Sequence, residues 1–460
     1  MVTMATSTQT DTSATPARKW LDPRHVARKL RETLKLPPGF RLARVSVGRV
    51  FPAKIGGVGI QYDVVIRDVA GVPHHGAIFL CGHAGRAHKK LAELQIRPEG
   101  PFGVSGVHVA APSAGFVFQT PDRDERLPTI RPASNTQTTA ARRFWAEYFD
   151  DPQSIQCRCL SYRPGRRCVL AYHDGRDPNR SIVGKLYKKL RLRAIRIARS
   201  HISDALARHA GDGLIVPQIE GTWRDMGMVL FSGIPRIEKP RTGLAEAACL
   251  ALACLHRGSA AGLRRFDIGD QLHVTRSWID LAARFNRPHP ATAPVWNWLE
   301  RTAERLRSAR AYLVHRDFYD NQLIPTSQGW GLVDFDTLSA GDRELDLGNF
   351  IAHQAWNAVR RGESSCDMDE LAAGVIDAYF SVPVTTERRA DGAPLDPRRL
   401  TFYLVSTLLR VALIHSLRTT TADHVGILFE LALATTNRQR RWPPVAAGRQ
   451  SERHCMVKAV

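Results

Sequence analysis

Residues 312–351 read YLVHRDFYDNQLIPTSQGWGLVDFDTLSAGDRELDLGNFI. A short apolar run predicts a strand that delivers Asp317, and a second predicted strand, Trp330–Val333, delivers Asp334. The two carboxylates therefore leave neighbouring strand ends, where we expect them to share one site. Phosphoryl transfer uses such a pair, one carboxylate to orient an acceptor hydroxyl and another to hold Mg²⁺. Rigid strand ends suit this chemistry because positioning supplies much of the rate.

Three pieces of this stretch carry a family resemblance: H-R-D-F-Y-D-N-Q at 315–322, L-V-D-F-D at 332–336 and G-D-R-E-L-D-L-G-N-F at 341–350. Together they resemble the aminoglycoside phosphotransferase family, which includes choline-kinase-like enzymes and has a fold similar to that of protein kinases. The resemblance implies that Asp317 is the catalytic carboxylate and that Asp334 is a metal ligand. It also implies that Asp342 and Asp346 brace the loop.

The chain departs from the family pattern at two positions near Asp317. Gln322 stands where the family has Asn as second metal ligand. Its side-chain carbonyl offers the same kind of oxygen one methylene further out, so we predict Gln322 as a metal ligand. Asn321 lies one position early and is predicted to point elsewhere. Arg316 has two interpretations, contact with an acidic partner or a structural role.

The resemblance also implies a lysine for the nucleotide phosphates in a β-rich lobe. Lys185, in the predicted strand Ser181–Tyr187, is the candidate. Its predicted carboxylate partner is Asp204, the only acid of the basic helix predicted over Leu192–His209, although Asp is shorter than the usual Glu.

Two further nucleotide contacts are predicted around this lobe. The loop over the phosphates is expected at Tyr162–Arg167, where one glycine stands among arginines and no G-x-G-x-x-G occurs. Backbone N–H groups and guanidinium groups can still bind phosphates there. The hinge that binds adenine through backbone hydrogen bonds is predicted at Ser232–Ile234, after an apolar strand over Met226–Phe231.

These patterns predict an α+β chain: a bilobal protein-kinase-like fold with a small β-rich N-lobe and a mostly helical C-lobe, plus an extra N-terminal β-rich domain. Within that domain, Arg86–Gln95 is predicted helical. The predicted boundaries are a disordered tail at 1–18, an N-terminal α/β extension at 19–119, a linker and helix at 120–150, the kinase-like N-lobe at 151–240, the helical C-lobe with the catalytic loop at 241–440 and a C-terminal tail at 441–460.

Charge is distributed unevenly along the 460 residues, whose formal net charge is +21. Residues 1–240 hold 38 Lys and Arg against 20 Asp and Glu, whereas residues 241–460 hold 27 against 24. The basic half is either a surface for phosphates, nucleic acid or an acidic protein partner, or a solvated face combined with coding bias. Because no basic stripe with interleaved aromatic residues occurs, nucleic acid is not an expected partner.

Cysteine usage and hydropathy predict a cytoplasmic protein. The 8 cysteines have no disulfide or zinc-site spacing and are interpreted as reduced thiols. The N-terminus lacks the apolar segment of a signal peptide. The longest apolar helix, Tyr403–Leu417, is interrupted by Arg410 and His415 and is too short to span a membrane.

The function predicted from this sequence is ATP-dependent O-phosphorylation of a small hydroxylated molecule, with Mg²⁺ as cofactor and GTP as the alternative nucleotide. Asp320, Asp367, Asp369 and Glu370 are either surface charges or a site for a cationic acceptor such as an aminoglycoside. The alternative function is a catalytically weak kinase-like domain, or pseudokinase, used for binding or regulation. The arginine-rich phosphate loop, Gln322 and the missing Glu favour that alternative, whereas Asp317 and Asp334 favour an enzyme.

Overall fold

The computed structural model describes most of the chain. The described residues are 18–52, 58–82, 92–97, 100–111, 116–177, 180–188, 192–206, 213–238, 243–306, 309–362, 367–382, 394–419, 421 and 424–437. The predicted terminal tails lie outside these ranges except for Arg18, as does most of the predicted helix at 86–95. Residues 92–97 form a strand, so the helix prediction is wrong for 92–95.

The chain divides into two compact units. The first unit takes residues 1–120 together with 277–289 and 413–423, and the second takes 121–276, 290–412 and 424–460. The predicted extension at 19–119 therefore lies in a unit that also includes two short segments from much later in the chain. The segment predicted as a linker, from Pro121 onward, belongs to the second unit.

The first unit is built on one twisted sheet and a capped helix. Helix α1 begins at Pro23, and the Asp22 side chain accepts a hydrogen bond from the Arg24 N–H, which stabilises the free helix end. The elements are α1 (Pro23–Thr33), β1 (Leu34–Lys35), β2 (Arg41–Pro52), β3 (Val58–Arg67), β4 (Pro73–Gly82), β5 (Ala92–Arg97), β6 (Gly103–Ala111) and β7 (Phe116–Gln119). The strand order is β1-β5-β6-β7-β4-β3-β2, antiparallel except for the β1–β5 pair.

The core of the first unit joins residues from distant parts of the chain. Trp20, Tyr62 and Phe118 are fully buried in one cluster, and the Tyr62 hydroxyl donates to the Trp20 carbonyl at 2.8 Å. Phe285 and Leu417, which come from the two later segments, are buried in the same cluster. The late segments are therefore part of this core.

The second unit begins with short helices and an antiparallel sheet. The elements are α2 (Ile130–Ser134), α3 (Thr139–Trp145), β8 (Gln156–Arg163), β9 (Arg167–His173), β10 (Ser181–Tyr187), α4 (Leu192–Leu206), β11 (Leu214–Ile215), β12 (Ile219–Trp223) and β13 (Met228–Ser232). The sheet order is β12-β13-β10-β9-β8. Trp145 packs on Tyr172 with ring centroids 4.2 Å apart, and Phe144 stacks on Trp223 at 4.3 Å. The residues before β8 thus pack against this sheet.

Helices dominate the rest of the second unit. The remaining elements of the chain are α5 (Leu244–Arg257), α6 (Ile268–Arg284), α7 (Thr292–Arg305), β14 (Tyr312–Val314), β15 (Leu323–Thr326), β16 (Gly329–Leu332), β17 (Ser339–Gly341), α8 (Arg343–Arg360), α9 (Met368–Ser381), α10 (Pro397–Ser416) and α11 (Val425–Asn437). Strand β14 pairs with β17, and β15 pairs with β16 in a hairpin. Within the described ranges, no helix has the length and apolar character needed to cross a membrane.

Candidate active site

A buried carboxylate holds the loop that carries Asp317. Asp346, on the first turns of α8, accepts hydrogen bonds from the backbone N–H groups of His315 and Arg316, both at 2.7 Å. Its Oδ2 also lies 3.2 Å from Nε2 of His256. Burial lowers the pKa of His256 although Asp346 opposes the shift, which favours a neutral ring that donates from Nε2. Asp346 therefore holds the backbone of the two residues just before Asp317.

Arg316 has a structural role in this loop. Its backbone is left-handed at φ 71°, and its guanidinium lies 3.8 Å from the ring centroid of Phe266. It also donates to the Ser339 hydroxyl at 3.2 Å. The neighbouring Asp342, predicted with Asp346 as a brace, accepts from Arg399 and from the Tyr403 hydroxyl, both at 2.8 Å.

Hydrogen bonds tie the Asp317 loop to the segment that carries Asp334. The His315 ring contacts the Val333 carbonyl through Nε2 at 3.0 Å, and the Thr337 hydroxyl donates to the His315 carbonyl at 2.7 Å. The Val333 N–H donates to the Gln322 carbonyl at 3.0 Å. Asp317, Gln322 and Asp334 therefore lie on connected loops.

Two cations from the N-lobe sheet contact the predicted metal ligand. Lys185 Nζ lies 3.1 Å from a carboxylate oxygen of Asp334 and 3.1 Å from one of Asp336. The Arg167 guanidinium donates to both oxygens of Asp334 at 3.2 Å each, and it also contacts Asp336. The Tyr187 hydroxyl donates to Asp336 at 3.0 Å. This set of side chains, called the charge cluster below, joins β9 and β10 to the loop after β16.

The charge cluster keeps Asp334 ionised. Burial alone would raise the pKa of Asp334, but Lys185 and Arg167 outweigh it and lower the pKa well below its usual range. For Arg167, burial opposes the charge, yet Asp334 and Asp336 raise the pKa of the guanidinium. Burial and the adjacent Asp336 raise the pKa of Tyr187, so its hydroxyl stays protonated.

Asp317 has different surroundings from Asp334. Its carboxylate is half-buried and, among the residues that the structure describes, it forms no hydrogen bond or ion pair. The nearby Arg410, on α10, interacts with it electrostatically. The carboxylate is therefore open to an incoming hydroxyl group.

Gln322 and Asp334 suit a magnesium ion in their chemistry. Gln322 is buried, and its side-chain amide forms no hydrogen bond to any described residue, whereas Asn321 is exposed. Mg²⁺ prefers oxygen ligands, and the Gln322 amide oxygen and the Asp334 carboxylate supply them. The oxygens of Gln322 and Asp334 thus fit Mg²⁺, and nucleotide phosphates would supply further ligands.

The segment that carries Asp317 and Asp334 matches a known family. Residues 190–392 match the phosphotransferase enzyme family. This match supports a kinase and confirms the resemblance carried by the motifs around Asp317 and Asp334. It also confirms the kinase-like fold, here with an additional β-rich region at the N-terminus. Lys185 lies just before the matched residues.

Solved structures are similar to larger parts of the chain at low identity. Choline kinase from Cryptosporidium parvum is 8% identical, and the alignment covers 64% of this chain and 94% of that one at a TM-score of 0.43. A choline/ethanolamine kinase family protein from Mesorhizobium loti is 14% identical, with 68% and 96% covered and a TM-score of 0.43. Spectinomycin phosphotransferase is 14% identical, with 65% and 98% covered and a TM-score of 0.42. No protein of the curated set matches the sequence significantly.

The structure does not bring Asp204 to Lys185. Asp204 is exposed on α4 and forms no ion pair with any described residue. The carboxylates that contact Lys185 are those of Asp334 and Asp336. Asp204 therefore does not orient Lys185, and the loop after β16 supplies the negative charge.

The predicted hinge is only partly free for a nucleotide. The Ser232 N–H donates to the Gln218 carbonyl at 2.9 Å, and its hydroxyl accepts from the Gln218 N–H at 2.8 Å. The N–H of Ile234 forms no hydrogen bond to a described residue. Of the two predicted positions, Ile234 thus has the backbone donor that adenine recognition would need.

Sequence reasoning missed two residues that shape the phosphate side. Asp124 accepts from the Tyr162 hydroxyl at 2.7 Å and from the Gly165 N–H at 2.6 Å, so it holds the β8–β9 turn. Asp336 receives both cations of the charge cluster. The V-D-F-D pattern was a signal for Asp336, because two carboxylates that flank one residue can face the same cation. Nothing in the local sequence pointed to Asp124.

Proposed function

We propose that the chain is an ATP-dependent O-phosphotransferase acting on a hydroxyl group of a small molecule. One observation carries the proposal: Lys185 reaches Asp334 at 3.1 Å, while hydrogen bonds tie the Asp334 segment to the Asp317 loop. A cation for phosphates, a carboxylate for the metal and an unpaired carboxylate for the acceptor are the groups that phosphoryl transfer uses. The family match over residues 190–392 supports the same reaction class.

The roles follow from the surroundings of each side chain. Asp317, whose carboxylate is free of described partners, orients the acceptor hydroxyl and accepts its proton. The hydroxyl oxygen forms a bond to the γ-phosphorus, the bond from that phosphorus to the β–γ bridging oxygen breaks, and ADP leaves with the electron pair. Lys185 binds phosphate oxygens, and Asp334 with Gln322 holds Mg²⁺. The bound ion neutralises charge on the phosphates.

Arg167 adds a second cation at the junction of the predicted phosphate loop and β9. Its planar guanidinium can bind two phosphate oxygens at once. We propose that it turns from Asp334 and Asp336 toward the phosphates when nucleotide binds.

The first experiment measures thermal unfolding with and without Mg-ATP for the wild type, Asp334→Ala and Asp204→Ala. At ligand about 100 times Kd, binding stabilises the folded state by about 2.7 kcal/mol. We expect a shift that EDTA removes in the wild type, its loss in Asp334→Ala, and its retention in Asp204→Ala, since Asp204 is exposed and unpaired. Comparing each protein with itself, with and without ligand, separates binding from any change in basal stability.

The nucleotide and the reaction are then tested separately. A parallel series with Mg-GTP identifies the nucleotide, and ADP formation with hydroxylated acceptors measures transfer. No shift with either nucleotide at millimolar concentration would refute the proposed function and favour the pseudokinase. Binding without transfer in Asp317→Asn, together with transfer in the wild type, is the result expected for a catalytic Asp317.

A further inference from the structure

A guanidinium group lies near Asp317, with no described carboxylate within ion-pair distance of it. Arg410, on α10, donates through Nη2 to the side-chain oxygen of Asn349 at 2.6 Å. No described acidic residue lies within ion-pair distance of it. Its Nε and Nη1 groups form no hydrogen bond to any part of the chain that is described, and burial lowers the pKa of the guanidinium. An arginine has five N–H donors, so most of its binding capacity is unused.

Hydrogen bonds place this guanidinium next to the reacting groups. Asn349, on α8, donates to the Phe318 carbonyl at 2.7 Å, and Phe318 directly follows Asp317. Arg410 is thus connected through one side chain to the backbone of the catalytic loop. It also interacts electrostatically with Asp317 and Tyr319.

A stacked aromatic pair completes this region. The rings of Tyr319 and His353 lie 4.6 Å apart with an interplanar angle of 23°. Burial, assisted by the nearby Arg410, lowers the pKa of His353 to about 3, so the ring is neutral at physiological pH. The positive charge on this side of Asp317 therefore comes from Arg410.

Two of the four acids that were predicted as a site for a cationic acceptor contact other groups of the chain. The Asp367 side chain caps α9 by accepting from the N–H groups of Asp369 and Glu370. Asp320 is buried within the short helix after the catalytic loop and has partners of its own. Asp367 and Asp320 are therefore already engaged by other groups of the chain.

We propose that Arg410 binds an anionic group of the acceptor, so that the substrate class is a small hydroxylated compound bearing a carboxylate or a phosphate. A guanidinium with unused N–H donors recognises either oxyanion with paired hydrogen bonds. The acceptor would place its anionic group at Arg410 and its hydroxyl at Asp317, with the bonds changing as described for the transfer step. This inference rests on the proposed phosphotransferase function and adds the chemistry of the acceptor.

The test uses four compounds with the same three-carbon skeleton: glycerol, glycerate, glycerol 3-phosphate and 3-amino-1,2-propanediol. They are titrated into the full chain with saturating Mg-ADP, which occupies the charge cluster, at constant ionic strength. Calorimetry gives the affinity for each compound, and a coupled assay with Mg-ATP gives kcat and KM. We expect glycerate or glycerol 3-phosphate to bind more tightly than glycerol, and the aminodiol to bind weakest. The tighter of the two anions identifies carboxylate or phosphate as the recognised group.

Two variants assign the effect to Arg410. Arg410→Gln should weaken anion binding roughly 10- to 100-fold, as expected for losing charge-assisted hydrogen bonds, and should weaken glycerol binding much less. Arg410→Lys keeps the positive charge at this position and should therefore retain a preference for anions, at reduced affinity. Arg360→Gln removes one exposed charge from α8 and should match the wild type.

Either of two results would overturn the inference. One is equal binding of all four compounds, or preference for the aminodiol. The other is wild-type anion affinity in Arg410→Gln, or, should that variant fail to fold, wild-type anion affinity in Arg410→Lys. A wild type that binds Mg-ADP but not the anions contradicts the acceptor class alone. A wild type that does not bind Mg-ADP contradicts the phosphotransferase proposal itself.

Discussion

Replacing Asp346 with Asn tests whether a buried carboxylate holds the loop that carries Asp317. Asp346 is fully buried and accepts backbone N–H groups from His315 and Arg316 at 2.7 Å each. Asn offers one acceptor oxygen, so its NH₂ group would face one of these donors and leave it unpaired. An unsatisfied buried donor costs about 1–3 kcal/mol, and loss of the charge weakens the remaining bond by about 1 kcal/mol. We expect the free energy of unfolding to fall by about 2–4 kcal/mol.

The assay is urea unfolding followed by fluorescence, with the rate of phosphoryl transfer measured on the folded variant. Displacement of Asp317 by about 1 Å would lower the rate roughly 100-fold. Asp204→Asn, the same change at an exposed position, should leave both quantities unchanged. A loss of stability below about 0.5 kcal/mol, typical of a surface substitution, would refute the bracing role of Asp346. Lower stability with an unchanged rate would refute its influence on Asp317.

Three other expectations concern acid stability and helix packing. Because the pKa of Asp334 is lower in the folded state, its stabilising effect is present above about pH 4 and is lost as pH falls below that value. Arg167→Gln should therefore lose less stability than the wild type in this pH range, as measured by urea unfolding at several pH values. The pKa of His353 is lowered to about 3, so between about pH 6.5 and pH 3 only the unfolded state takes up its proton. The wild type should therefore lose stability as pH falls through this range, and His353→Asn should remove that part of the loss. Gly348→Ala would place a Cβ 2.8 Å from the backbone of α10 and should lower the stability of the protein by about 1–3 kcal/mol. Gly374→Ala, with open space around the new Cβ, should raise it by about 0.4–1 kcal/mol. Thermal unfolding of the two variants measures these opposite changes.

Local patterns predicted the parts of the site that short segments determine. The strands that lead to Asp317 and to Asp334 follow from apolar runs. Strand β15, which pairs with β16, was not predicted. The different exposure of Asn321 and Gln322 agrees with the prediction that Asn321, one position earlier, points elsewhere. These features depend on residues that are close together in the sequence, so one sequence is enough to predict them.

Contacts between distant residues were not predictable in the same way. Arg167 and Asp334 meet because β9 and the loop after β16 fold together, and neither local pattern contains the other. The same reason explains the prediction of Asp204 as partner of Lys185, which relied on spacing along a helix without knowledge of the face it exposes. Residues 92–97 could extend a basic, polar helical pattern, yet pairing with β6 makes them a strand. Tertiary pairing overrides such weak local preference.

The core of the first unit has a consequence for synthesis. Trp20 and Tyr62 leave the ribosome early, but Phe285 and Leu417, which share their core, emerge much later. At about 5–20 residues per second, roughly 15–60 s separate residue 120 from residue 423. During that interval the nascent sheet lacks part of its apolar covering, so the segment translated first is among the last to be completed. A ribosome stalled near residue 300 would therefore expose a chaperone-binding surface that the finished chain buries.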